Sequence, residues 1–274
     1  MKSDMGRAWS DATAPLSANR QVVLIVAGVF FFLPYLAVML LLPDSFTGVP
    51  AGRQDDPDAA FAAMSALYAD NWWVILLLAV FQGIGMLGLL ALLTDRSRPT
   101  VGEALGQGAK SFLPYLAAQI LQGLVIVVAV VVPITLAAAT GSTAVTALVA
   151  LVAMVLVAYL LTKFSLTIPV IAIGRVMNPV RALARSWALT KGNSVRLFFF
   201  YVLLVLVVIV VAIVLGMIIA LASVLAGPDG SLIANGLISA IINMAAVTLA
   251  LAVLAAIYRQ LAGPSTESLN ETFS

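Results

Sequence analysis

Three aspartates in the spacing D-D-x-D, Asp55, Asp56 and Asp58, form the densest group of carboxylates in the chain. Such spacing suits a hard divalent cation, but three acids are an incomplete ligand set, and Pro57 marks a helix start where acids favour the macrodipole. We assign them to the helix start and expect no metal. The run Gly83-Ile84-Gly85-Met86-Leu87-Gly88 matches G-x-G-x-x-G literally. A dinucleotide site needs a strand before that run and a helix opening at it. Here the glycines lie inside a long apolar stretch, where small residues let a neighbouring helix approach closely. No cofactor is expected. The chain contains no Cys and no His, which removes thiolate nucleophiles, disulfides, thiolate metal sites and the side chain best suited to proton transfer near neutral pH. No catalytic residue can be named, and the chain reads as a non-enzyme.

Two other groups of polar residues stand out against the apolar background. Counting along apolar segments places Gln82, Gln122 and Asn243 about 15 Å from their nearest ends, with Gln119 one turn from Gln122. They are a candidate midplane polar layer. One reading is a pathway or site for a small solute, as in a permease or channel; the other, which weighs more, is interhelical hydrogen-bonding glue, common in membrane bundles. The second group is RALARSWALTKGNSVRLF, residues 181–198, with four cations, one Trp and no acid. At 100° per residue Val180, Leu183, Ala184 and Trp187 share one face, and Arg181 and Arg185 share another. That pattern is an interfacial helix with a cationic flank. Arg181, Arg185, Lys191 and Arg196, with Trp187 as anchor, are the candidate contacts to lipid headgroups or to a protein partner; each cation near an anionic surface contributes about 1 kcal/mol. Ordinary topological charge bias explains the same cations equally well.

The elements that carry these groups follow from composition. Of the 274 residues, 63% are hydrophobic and 9% charged, against roughly 25% charged in soluble domains. Six segments are long enough to cross a ~30 Å hydrocarbon core as helices: approximately 22–42, 72–93, 112–136, 144–162, 197–225 and 232–258. Their apolar character is continuous rather than alternating, so the fold class is all-α, a polytopic bundle forming a single integral membrane domain. Around the spans, Pro15 interrupts any helix in the N-terminal segment, which reads as a short interfacial stretch. A surface helix starting at Pro57 leads into Trp72 and Trp73, an aromatic belt pair. Thr100 and Glu103 fit a capping box, predicting a short helix that ends near Lys110. Asn178 as cap, Pro179 at the first position and Gly192 as stop predict a second one. Between Lys163 and Val176 the apolar run continues across Pro169, and this extension should pack on that second helix. Lys163 itself can snorkel to the interface.

Charge sets the orientation. With six spans and the N-terminus inside, thirteen of the fourteen cations face the cytoplasm and Arg53 alone lies outside, so both termini are expected to be cytoplasmic. In that arrangement the cytoplasmic loops offer only Asp95 and Glu103 as acids. Nothing ionisable apart from Lys163 approaches the spans, which counts against proton- or ion-coupled transport. Nucleic acid is not an expected partner; membrane lipids, anionic ones above all, or a protein are.

The run NPVRALARSWALTKGNSVRLFFFYVLL resembles the hallmark segment of the glycerophosphoryl diester phosphodiesterase membrane-domain family and its polytopic inner-membrane relatives. The likeness extends to AWSDATAPLSANRQ, TVGEALGQGAKSFLPYL and IYRQL. It implies a protein of the bacterial cytoplasmic membrane with about six helices. It does not imply catalysis: in proteins that carry both parts, the phosphodiesterase chemistry belongs to a separate soluble barrel with catalytic His and metal-binding carboxylates, for which this chain has neither the His nor the room.

Overall fold

A computed structural model describes residues 5–41, 57–94 and 99–263, and every regular element in them is helical. Asp55 and Asp56 lie outside the described residues. In chain order the helices are α1 (Met5–Ala18), α2 (Arg20–Ala27), a π turn (Gly28–Phe32), α3 (Leu33–Leu41), α4 (Pro57–Thr94), α5 (Val101–Ala138), α6 (Thr143–Phe164), α7 (Thr167–Ala172), α8 (Pro179–Thr190) and α9 (Ser194–Ala262). Six helical stretches are long and apolar enough to cross a membrane. The chain is an all-α polytopic membrane bundle.

The N-terminal segment departs from expectation. Pro15 sits inside α1 without ending it. A helical proline lacks the N–H that would bond the carbonyl four residues earlier, here that of Asp11. The Arg259 guanidinium donates to that carbonyl at 3.2 Å, and the Gln260 amide donates to the Asp11 carboxylate at 3.4 Å. The acceptor left unused by Pro15 thus becomes the seat on which α1 docks against the end of α9. Pro34 is accommodated differently, by the π turn just before it, in which the Leu33 N–H bonds the Gly28 carbonyl.

Two elements expected as separate helices are continuous with spans. α4 runs from Pro57 and bends at Asn71, whose φ and ψ are −115° and 17°, so the surface helix joins the second span through a kink. α5 starts with the capping box: Thr100 Oγ1 accepts from the Glu103 N–H at 3.3 Å, and Glu103 Oε2 accepts from the Thr100 N–H at 2.8 Å. It does not stop near Lys110. Ala104, Gly108 and Ser111 are buried, and a face this well packed carries the helix past Pro114 at the cost of one backbone bond. α6 ends at Phe164, and α7 holds Pro169 at its third position, where the N–H has no intrahelical partner to lose. α7 packs on α8, as well as on α4 and α5.

α9, Ser194–Ala262, contains the fifth and sixth spans, Ser194–Ile218 and Ile233–Ala262. The Tyr201 hydroxyl nevertheless lies 3.0 Å from Ser165 Oγ, while the Tyr258 hydroxyl packs on Gly174. Ser165 and Gly174 are at most about 32 Å apart along the chain, whereas a straight helix would separate Tyr201 from Tyr258 by about 86 Å. The chain therefore doubles back between Tyr201 and Tyr258, which puts both ends of α9 at one end of the bundle.

That end, where α1, the end of α4, the start of α5, α7, α8 and both ends of α9 meet, is the basic end. The core lies toward it: Phe31, Leu90, Leu166, Ile171, Leu197 and Ile257 are fully buried. Glycines close the α4–α5 contact. A side chain at Gly108 would fall 2.7 Å from the Ile84 carbonyl oxygen and 2.9 Å from the Gly88 nitrogen, and one at Gly85 would run into Phe30. The literal G-x-G-x-x-G run is a helix-packing surface.

Candidate functional site

α8 is built as its sequence requires. The Asn178 side chain accepts the Arg181 N–H at 3.0 Å, Pro179 occupies the first turn, and Gly192 adopts a φ of 82° after the Lys191 cap. Only the left-handed region allows the chain to leave in this direction, and glycine adopts it without penalty. Arg175, in the turn before α8, is left-handed as well, with a φ of 51°, which costs a residue with a side chain about 1–2 kcal/mol.

The face α8 turns inward is not the one its apolar residues indicate. Ala182, Leu183, Ser186 and Thr190 are buried, whereas Val180, Ala184 and Trp187 are exposed. Of the expected apolar face only Leu183 enters the protein, packing with Leu160 and Phe164. The reason lies in the hydroxyls. Ser186 Oγ donates to the Lys163 carbonyl at 2.8 Å, and Thr190 Oγ1 donates to the Ser186 and Trp187 carbonyls at 3.0 and 3.1 Å. Small side chains with satisfied hydroxyls admit close helix contact, so they can be buried without a desolvation penalty. α8 consequently has three faces: one seated on α6, one apolar and open, and one cationic.

All five residues singled out on this segment are exposed: Arg181, Arg185, Trp187, Lys191 and Arg196. They are not equivalent. Arg185 lies near the Tyr258 hydroxyl of α9. The Trp187 ring, 37% exposed, makes an edge contact with Tyr159 (centroids 5.7 Å, 87°) and a tilted one with Phe164 (5.6 Å).

Lys163, expected to snorkel, is instead only 4% exposed. Its ammonium lies 5.5 Å from the Tyr159 ring centroid and 5.2 Å from that of Trp187. Lys191 is near enough to repel it. No hydrogen-bond acceptor meets either ammonium among the described residues. A cation–π contact at such a partly open position contributes about 0.5–1 kcal/mol, so the rings hold the ammonium without neutralising its charge. Lys163 still stands at the rim of the bundle, since both rings that cover it are themselves partly exposed. Sequence reasoning missed this cluster because Tyr159 and Lys163, four residues apart on one helix face, looked like an ordinary span end.

The polar residues of the spans are spread along the bundle. The contacts of Gly83 with Phe112 and of Gly108 with Ile84 and Gly88 set α4 level with α5 so that Gln82 stands opposite about Phe112. Gln119 and Gln122 lie about seven to ten residues further on, roughly 10 to 15 Å. Gln82, Gln119, Gln122 and Asn243 are each partly buried, and no hydrogen bond joins any two of them among the described residues. Two shallow clefts are lined by other residues. One of about 470 Å³ at the basic end is lined by Glu103, Gly106, Gln107, Lys110, Arg175 and Met177. The other, of about 400 Å³, lies at the α5–α6 turn around Gly141, Ser142 and Thr146. Among the described residues no group of acids could hold a metal ion.

Residues 125–262, just over half of the chain, match the family described as the membrane domain of glycerophosphoryl diester phosphodiesterase. The chain belongs to this family. Its membrane-domain match contains α6, α7, α8 and both spans of α9, and with them every residue of the Lys163 cluster; α1 and α4 fall outside it. Neither the curated proteins nor the solved structures provide a match. The family description names the membrane part of an enzyme and assigns no reaction to these residues.

Proposed function

We propose that this membrane domain is a non-enzymatic protein of the bacterial cytoplasmic membrane, with both termini in the cytoplasm, whose basic end holds anionic lipid headgroups. The observation that carries the reading is the surface of α8. Its apolar stripe, Val180, Ala184 and Trp187, lies beside Arg181 and Arg185, and Lys191 and Arg196 follow at the mouth of the fifth span, all exposed. A helix seated by its hydroxyl face and open along an apolar and a cationic face fits the membrane interface, where the first enters the acyl boundary and the second meets phosphates. The clustering of the cations at the end where the start of α5 and the end of α9 also lie supports the orientation. A protein partner bearing acids is the competing occupant of this surface.

The test is flotation of the purified protein, in neutral nanodiscs, with vesicles of phosphatidylcholine or of phosphatidylcholine and phosphatidylglycerol. Changing Arg181, Arg185, Lys191 and Arg196 together to Gln should lower capture by the anionic vesicles at least tenfold and make the remainder insensitive to salt. Unchanged capture by a folded variant would sink the reading.

A further inference from the structure

We propose that Lys163 and Lys191, flanked by Tyr159 and Trp187, form a discrete site for the phosphate group of one acidic glycerophospholipid. The inference rests on the headgroup reading above and narrows it from a charged surface to a single site whose central residue is buried.

The electrostatics of the cluster demand an anion. The Lys163 side chain is 4% exposed, and among the described residues its ammonium at the rim meets the faces of two aromatic rings and no hydrogen-bond acceptor. Folding brings Lys191 beside it, a second like charge. The acids whose placement is described are committed or remote: Asp11 accepts from Gln260, Glu103 caps Thr100, and Asp58 and Asp70 lie in the first half of α4, about 36 Å or more from its basic end. Two ammonium groups with no carboxylate beside them among the described residues are matched by a phosphate, to which lysine binds as a point charge.

The rings indicate where that phosphate comes from. Tyr159 is 44% and Trp187 37% exposed, and the neighbouring Leu161 and Val155 are exposed too. The site therefore opens onto apolar surface as well as toward the basic end. Amphipathic rings at such a boundary suit a ligand that is charged at one end and hydrocarbon at the other. A free phosphate satisfies the lysines but has no use for the apolar rim.

The full-length protein, delipidated in a neutral detergent, is titrated with phosphatidylglycerol and read by native mass spectrometry; a parallel calorimetric titration uses inorganic phosphate. One phosphatidylglycerol should bind per chain, at least a hundredfold more tightly than phosphate. K163Q and K191Q should each weaken that single adduct about tenfold, and K163R should retain most of it. The triple variant R181Q/R185Q/R196Q should keep the adduct while losing vesicle capture, which separates failure of this site from failure of the wider surface. K191Q lies on exposed backbone and decides the matter if K163Q does not fold. Adduct affinity unchanged in K191Q, or inorganic phosphate binding as tightly as the lipid, would overturn the proposal.

Discussion

The third span and the second differ in what they touch. In the second, 44% of the most apolar window is buried inside the protein; in the third and the fifth the share is 6%. All are apolar along their whole length, so hydrophobicity does not decide which surface packs on protein and which is left for lipid. Lipid tails are as apolar as leucine, and helices in a bilayer associate through close backbone approach and hydrogen bonds rather than through escape from water. Near the basic end α5 uses both devices, a close backbone approach to α4 at Gly108 and a hydrogen bond from Gln107 to the Ala172 carbonyl of α7 at 3.3 Å. The outer half of α5 has neither, since Gly123 meets nothing within 4 Å and Thr135 bonds only the Val131 carbonyl of its own helix.

The contrast can be broken most severely with one substitution made twice on the same helix. Gly108→Leu drives a side chain into the Ile84 and Gly88 backbones, which cannot yield, and should cost about 3 kcal/mol or more; Gly123→Leu should cost nothing. Reversible unfolding in mixed detergent micelles measures both. A destabilised G123L would mean that lipid-exposed α5 is packed against something. A smaller effect separates two hydroxyls. Ser186→Ala removes the bond to the Lys163 carbonyl and should lose about 1 kcal/mol, while Thr135→Ala should be neutral by the same assay. The smallest effect concerns the docked proline. Pro15→Ala restores the helical bond to the Asp11 carbonyl and should leave stability nearly unchanged, because it displaces the Arg259 contact it replaces. The P15A and R259Q changes should therefore couple, the double variant losing about 0.5 kcal/mol less than the separate losses combined. Strict additivity would show that Arg259 does not use the acceptor Pro15 leaves open.

Those same residues mark what could be read from sequence. Elements governed by local chemistry were legible: Asn178, Pro179 and Gly192 bound α8, Thr100 and Glu103 start α5, and the glycines of α4 serve close approach. Features that depend on a partner far along the chain were not. Ser186 and Thr190 read as polar and outward until the carbonyls they bond are known, so the buried face of α8 was assigned about 100° away. Pro15 read as a helix breaker because its compensating donor, Arg259, lies 248 residues distant. Lys163 read as a snorkelling end because nothing local reveals that Trp187 folds over it.

The Asp11–Arg259 contact also imposes an order in time. At about 5–20 residues per second of synthesis, the carbonyl beside Pro15 waits roughly 12 to 50 seconds before its donor is made. Until then α1 has no finished seat, and the segment synthesised early is secured by one synthesised late. The joint forms only after the sixth span has returned to the side where α1 lies, so α1 docks once the six spans are in place.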